Sequence, residues 1–238
     1  MDKNIIEQYK QMKIGVDEPF KFHCTQCGEC CINREDILLS ANDLFRIAQK
    51  LECQPIDIIS RYCDTYIGND SRLPVVRLQP EGTQMRCPLL DGSKCSVHDA
   101  KPIICAMFPI GRCVQVSKED LTPDFSSIKT EYIFVDPKCG DDSKTHTVRE
   151  WLGDFGIPLD DPFFREWTCT IIELSTIFRE VEKHLSENRM VSLWNAAFIT
   201  LYCKYDMGKP FFPQFQKNRT EFLELMRQFP IDDVSQAG

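Results

Sequence analysis

The chain has 238 residues, 42% of them hydrophobic and 27% charged, a balance that predicts a globular protein with an ordinary core. Lys plus Arg number 28 against 36 for Asp plus Glu; the formal charge of −8 argues against a general binder of nucleic acid or anionic membrane, whose surface is normally basic. Thirteen cysteines, an odd count, exclude a fully paired disulfide set.

The opening residues carry charges throughout and lack the apolar core of a secretory leader. The longest clearly apolar run, Ala196–Cys203, is too short to span a bilayer. A cytoplasmic protein is expected, with neither membrane nor nucleic acid as partner. In that reducing compartment, clustered thiols point to metal binding or catalysis rather than to structural disulfides.

In chain order, residues 2–13 read as a short helix. A cysteine run follows: Cys24, Cys27, Cys30 and Cys31 fall within eight residues. Ser40 can cap a helix, with Asp43 returning the bond, and Leu44, Ile47, Ala48 and Leu51 repeat at helical spacing. Pro55 suits a first helical position, and the helical pattern continues through Ile56, Ile59, Tyr62 and Cys63. Leu73–Gln79 reads as a strand. Asp91-Gly92 between two short runs signals a hairpin that brings Cys87 and Cys95 close. Glu131–Asp136 is a second strand, and Asp141-Asp142 reads as a solvated loop. Three helices close the chain. One follows the Asp161-Pro162 cap to about Leu185, one spans about Asn188 to Tyr205, and one runs from after Pro213 to about Phe229.

These elements predict an α+β fold. Residues 1–140 form an irregular, cysteine-rich metal-binding region with short strands and helices. Residues 141–238 form a C-terminal helical region packed on it. Eleven of the cysteines lie in residues 24–139; only Cys169 and Cys203 lie beyond.

The spacing of Cys24, Cys27 and Cys30 can bring three sulfurs around one point, as in the opening of a bacterial ferredoxin run. That run would place its fourth cysteine at position 34, which is Arg34; here the fourth is Cys31, adjacent to the third. Further ligands must come from Cys87, Cys95, Cys105 and Cys139. Thiolates are soft ligands suited to zinc and to iron–sulfur clusters, and both commonly take four protein ligands. Eight candidates suit two four-ligand centres, or one centre with reserve thiols. Cys53, Cys63, Cys169 and Cys203 lie in helical patterns and read as buried small hydrophobes, while Cys113 could serve either way. In the aromatic tail the polar groups of Lys204-Tyr205-Asp206 and of Gln214 and Asn218 could line a pocket, with helix capping the simpler role.

The pattern Cys24-x2-Cys27-Gly-x-Cys30-Cys31, then Cys87-Pro-Leu-Leu, then Cys95-Ser-Val-His-x-x-Lys-Pro-x-x-Cys105-x-x-Phe-Pro, then Cys139-Gly, resembles the CxxCxxCC family of zinc- or iron-chelating proteins, the YkgJ-like cysteine-cluster proteins. The resemblance covers roughly residues 20–140. It implies a metal centre built from the eight named cysteines, with an iron–sulfur cluster favoured over zinc. Relatives include flagellin lysine N-methylase-like proteins, so it also implies S-adenosylmethionine as a methyl donor and a protein as substrate. Neither a glycine-rich nucleotide turn nor a C-x3-C-x2-C triplet supports that donor here. Family members usually carry Tyr and Arg where this chain has His98 and Lys101; His98 could add a nitrogen ligand. The alternative is a zinc-held binding module without catalysis.

Overall fold

The computed structural model describes residues 3–114 and 129–227. The elements in chain order are α1 (Lys3–Met12), β1 (Lys13–Ile14), β2 (Pro19–His23), α2 (Ala41–Lys50), α3 (Pro55–Tyr62), β3 (Cys63–Ile67), β4 (Pro74–Leu78), β5 (Leu90–Asp91) and β6 (Lys94–Cys95). They continue with α4 (Ile103–Met107), β7 (Ile110–Val114), β8 (Thr130–Phe134), β9 (Asp141–Thr147), α5 (Val148–Asp154), α6 (Pro162–Val181), α7 (Glu187–Phe198) and α8 (Phe211–Arg227). The fold is α+β with a helical C-terminal region. Among the described residues, no helix is long and apolar enough to cross a membrane.

The chain divides into two compact units, each discontinuous in sequence: residues 1–37 with 80–166, and residues 38–79 with 167–238. In the first unit β1, β8 and β7 form an antiparallel sheet, and β2 pairs antiparallel with β9. The residues of β2 alternate, so Phe20 and Phe22 are buried while Lys21 is exposed. They join a core of Ala106, Met107, Ile110, Tyr132, Val148, Trp151 and Leu152. Trp151 packs edge-on against Phe20 and Phe22, and its indole N–H donates to the Met107 carbonyl at 2.9 Å, so its polar edge is not left bare in the core. The stretch from Asp141 differs from the expected loop. It forms β9, polar and largely exposed along its length, held as a strand by pairing with β2 rather than by its own side chains.

The second unit contains α2, α3, the β3–β4 hairpin, α7, α8 and all but the first turn of α6. The cap of α2 is the expected one: Asp43 N–H donates to Ser40 Oγ at 3.2 Å, and Ser40 N–H donates to the Asp43 carboxylate at 2.9 Å. Its core includes Leu44, Ile47, Ile58, Val76, Leu174, Phe178, Leu201 and Phe215. The helical pattern ends one residue earlier than expected, because Cys63 opens β3 and pairs with Leu78. Cys53 lies in the turn after α2, half-buried, and not within a helix. Cys169 is buried on α6 as expected. Instead of one helix to Tyr205, α7 gives way at Ile199–Cys203 to a π-helical turn. Past this turn, Asn218 Nδ2 donates to the Lys204 carbonyl at 2.8 Å and Gln214 Nε2 donates to the Asp206 carbonyl at 3.0 Å. Both side chains thus act as caps. Helix α8 starts at Phe211, two residues before Pro213. A first-turn proline is tolerated because the first N–H groups of a helix have no partner within it. The expected end at Phe229 lies outside the described residues.

In the first unit the Arg112 guanidinium is 5% exposed, lies 3.8 Å from the centre of the Phe164 ring and donates to Asp161 at 2.9 Å. Asp161 also accepts the Phe163 and Phe164 N–H groups that open α6. Removing one partner of a buried pair strands the other's charge. Arg112→Met is therefore expected to destabilise the protein by about 3 kcal/mol in urea denaturation. A loss below about 0.5 kcal/mol would mean that the pair contributes nothing.

Candidate metal centre

The cysteine run begins where β2 ends. His23 stands opposite Asp141 in the β2–β9 register, with its Nδ1 3.2 Å from Ser143 Oγ. That register sets Cys24, which follows β2, at the same end of the ladder as Cys139 and Gly140, which precede β9. Gly140 has φ +71°, and a Cβ there would lie 2.5 Å from the His23 carbonyl oxygen and 2.8 Å from the Phe22 ring. Only glycine lets the Cys139-Gly140 turn rest on β2. The Cys27 thiol accepts the backbone N–H of Glu29, then that of Gly140, and its pKa falls below the usual thiol value.

Gly28, at φ +81°, turns the chain into the 3-10 turn Glu29–Cys31, closed by Cys31 N–H donating to the Gly28 carbonyl at 2.8 Å. A 3-10 turn has three residues per turn, so consecutive side chains diverge by roughly 120°. Cys30 and Cys31 nonetheless keep their sulfurs in contact, 4.0 Å from each other. Past the turn a second segment takes hold. Cys87 N–H donates to the Cys31 carbonyl at 2.8 Å, and Ile32 bridges to Arg86. The expected hairpin is present, with Leu90 opposite Cys95, and Leu90 N–H turns back to the Cys87 carbonyl at 3.1 Å. Cys105 sits on α4 and donates its N–H to Pro102.

Cys24, Cys27, Cys30, Cys105 and Cys139 line one cavity of about 220 Å³. Its wall is completed by Phe22, Phe108, Trp151 and Phe155, with His98 and Lys101 as its charged or titratable members besides the thiols. Cys31, Cys87 and Cys95 do not line it. Cys24 and Cys27 are exposed and the other six are half-buried. Cys113 does not line the cavity either; its sulfur lies 2.8 Å from Tyr9 Oη, which donates to Glu131 at 2.7 Å.

The thiols perturb one another. The hydrogen bond from Cys31 lowers Cys30 to about 6, aided by the charges of Lys101 and Arg34. Cys31 is raised by the same bond, by burial and by the neighbouring Cys30, Cys87 and Cys105. Burial raises Cys87, with Cys95 and Cys30 adding to it. Burial also raises Cys139 to about 11, followed by Cys30, Cys27 and Cys24. Thiols this crowded resist ionising together unless a cation joins them. As placed, among the described residues, no three Cys, His, Asp or Glu side chains stand close enough to enclose a metal ion. The donor set nonetheless fits a soft metal such as zinc or iron. The side chains that could contribute to it are those of Cys24, Cys27, Cys30, Cys31, Cys87, Cys95, Cys105 and Cys139.

Sequence reasoning missed the aromatic wall and the action of Arg34 and Lys101 on Cys30. Lys101 precedes a proline in the quoted pattern, which was the available signal. Nothing local marks Trp151 or Phe155.

Gly140→Ala is expected to cost about 2 kcal/mol, since a Cβ is strained at this φ and meets backbone. It should also weaken zinc binding in chelator competition by moving Cys139 off the end of β2. Unchanged affinity in a destabilised variant would remove Cys139 from the site.

Residues 23–140 match the family model CxxCxxCC, described as "putative zinc- or iron-chelating domain". Over 105 residues the chain is 29% identical to an uncharacterized protein of Methanocaldococcus jannaschii, covering 43% of this chain and 52% of that one. The chain thus spans about half the length of that relative. No solved structure matches it. The matched region, residues 23–140, is similar to the CxxCxxCC domain and carries all eight of the named cysteines.

Proposed function

We propose that this protein holds an iron–sulfur centre on the thiolates of its cysteine cluster. The observation that carries this reading is the cavity of about 220 Å³ bordered by five of the eight cysteines. A structural zinc site is closed around its ion by four protein ligands and needs no such space. A polynuclear cluster needs room. When bound, such a centre would supply electron transfer or a Lewis-acidic iron. The chain's own groups would set its surroundings. Lys101 and Arg34 offset thiolate charge at Cys30, and the rings of Phe22, Phe108, Trp151 and Phe155 lower the local dielectric. Lysine N-methylation of a protein substrate rests on resemblance alone, and no residue of the cavity is assigned to a methyl donor.

A specific observation favours a second reading. The eight cysteines come from four stretches spread between residues 24 and 139, and the first stretch is pinned by a few backbone hydrogen bonds. A zinc ion joining such segments would stabilise the fold without chemistry of its own.

The test is anaerobic purification followed by measurement of iron, zinc and acid-labile sulfide per chain, with a visible spectrum. Iron and sulfide in matching amounts, with brown absorbance, are expected. Zinc alone in a colourless, oxygen-stable sample would put the second reading in place of the first. Cys27→Ser is expected to lose metal and to lower the melting temperature. Unchanged metal and melting would remove Cys27 from the site.

A further inference from the structure

The cavity has a second surface that the thiols do not supply. Phe108 meets Phe22 edge-on with ring centres 6.1 Å apart, Phe22 meets Trp151 edge-on at 5.5 Å, and Trp151 meets Phe155 edge-on at 5.6 Å. All four rings line the cavity, so they form one continuous aromatic strip along it. Phe22 and Trp151, in the middle, are buried and also serve the core. Phe108 and Phe155, at the two ends, are half-buried and leave ring surface uncovered. One end carries a charge: the Lys101 ammonium stands 5.4 Å from the centre of the Phe155 ring. Among the described residues, no other lysine or arginine lines the cavity, and no aspartate or glutamate does. An apolar wall with a placed polar group is the build of a small-molecule site, where the wall gives affinity and the polar group gives orientation.

We propose that the cavity binds a small organic acid, with its apolar body along the aromatic strip and its carboxylate at Lys101. This names a ligand for the cavity of the metal-binding reading and rests on that reading in one respect. Metal on the thiolates offsets negative charge that would otherwise oppose an acid. The cavity of about 220 Å³ lies below the roughly 300–1,000 Å³ of drug-sized sites, so the acid is small, of one ring or a short chain. An ammonium offers three N–H donors, and one ring face engages it from a single side. A charge-assisted hydrogen bond to a carboxylate adds to that contact. Aromatic rings by themselves also attract cations, but Lys101 already stands at the end ring and repels a second positive charge. A bare inorganic anion would use the charge and leave the strip idle.

The test is calorimetric titration of the full-length chain, as purified without oxygen, with phenylpropionate, phenylpropanol and phenylpropylamine. These share one body and differ at its end in being anionic, neutral and cationic. The acid is expected to bind at least about tenfold more tightly than the other two, the scale of one hydrogen bond to a charged group. Lys101→Met should abolish that preference, and Lys101→Arg, which keeps the charge, should retain it. Equal affinity for acid and alcohol, tighter binding of the amine, or no binding at all would overturn the proposal. An acid preference that survives in Lys101→Met would overturn the assignment to Lys101. If Lys101→Met fails to fold, the comparison of the three ligands on the unmodified chain decides by itself. Iron and zinc per chain are measured first, and the titrations are run whatever the result. Metal present without acid binding overturns the acid site alone. Metal absent overturns the metal-binding reading, and absence of acid binding then overturns both.

Discussion

The constraint on which the first unit depends is the crowding of thiols. Segments separated by more than a hundred residues deliver their sulfurs to one small region, and each thiolate formed there makes the next one harder to form. Lys101 and Arg34 relieve this at Cys30, while Cys31, Cys87 and Cys139 are pushed the other way. Ionisation is thus favoured at Cys27 and Cys30 and disfavoured at Cys31, Cys87 and Cys139. A metal held by these thiols would reverse that balance by supplying positive charge beside them, so its binding would be linked to proton release.

The same region shows how a core can shape a site. Phe22 and Trp151 belong both to the buried cluster and to the cavity wall. Phe22 also lies under Gly140, where a Cβ would strike it. Packing of β2 against α5 thus reaches the thiols through two routes: the position of the cavity wall and the position of the Cys139-Gly140 turn. The hydrogen bond from Trp151 to Met107 fixes the orientation of an indole that lines the cavity. A change of volume in this core is felt at the sulfurs, since close-packed interiors transmit strain rather than absorb it.

Local chemistry was readable where it was local. The Ser40–Asp43 box, the Pro55 start and the Asp91-Gly92 hairpin each rest on a few consecutive residues, and each is in place. The cysteine spacing was readable because few other arrangements demand it. What could not be read is held by distant partners. The sequence DDSKTHT carries no strand alternation, and β9 exists because β2 pairs with it. The discontinuity of the two units was equally hidden: residues 38–79 interrupt the cysteine-bearing region yet group with the C-terminal helices. Nothing in the composition of that insert separates it from its flanks. The cavity is the extreme case, since its aromatic members come from β2, α5 and the turns beside α4 and α5, and only the folded chain brings them to one wall.

The adjacent cysteines make sense on this geometry. Cys24, Cys27 and Cys30 recur every three residues, and a fourth member in phase would fall at Asn33. Cys31 is one residue out of that phase, and its carbonyl accepts the Cys87 N–H. Position 34, where a ferredoxin run would carry its last thiol, supplies Arg34, whose charge reaches both Cys30 and Cys105. The run therefore departs from the ferredoxin pattern in two coupled ways. A thiol is shifted to the segment gripped by residues 86–87, and a cation stands where the thiol would have been. Together they place positive charge near Cys30 and Cys105, where a permanent guanidinium offsets thiolate charge.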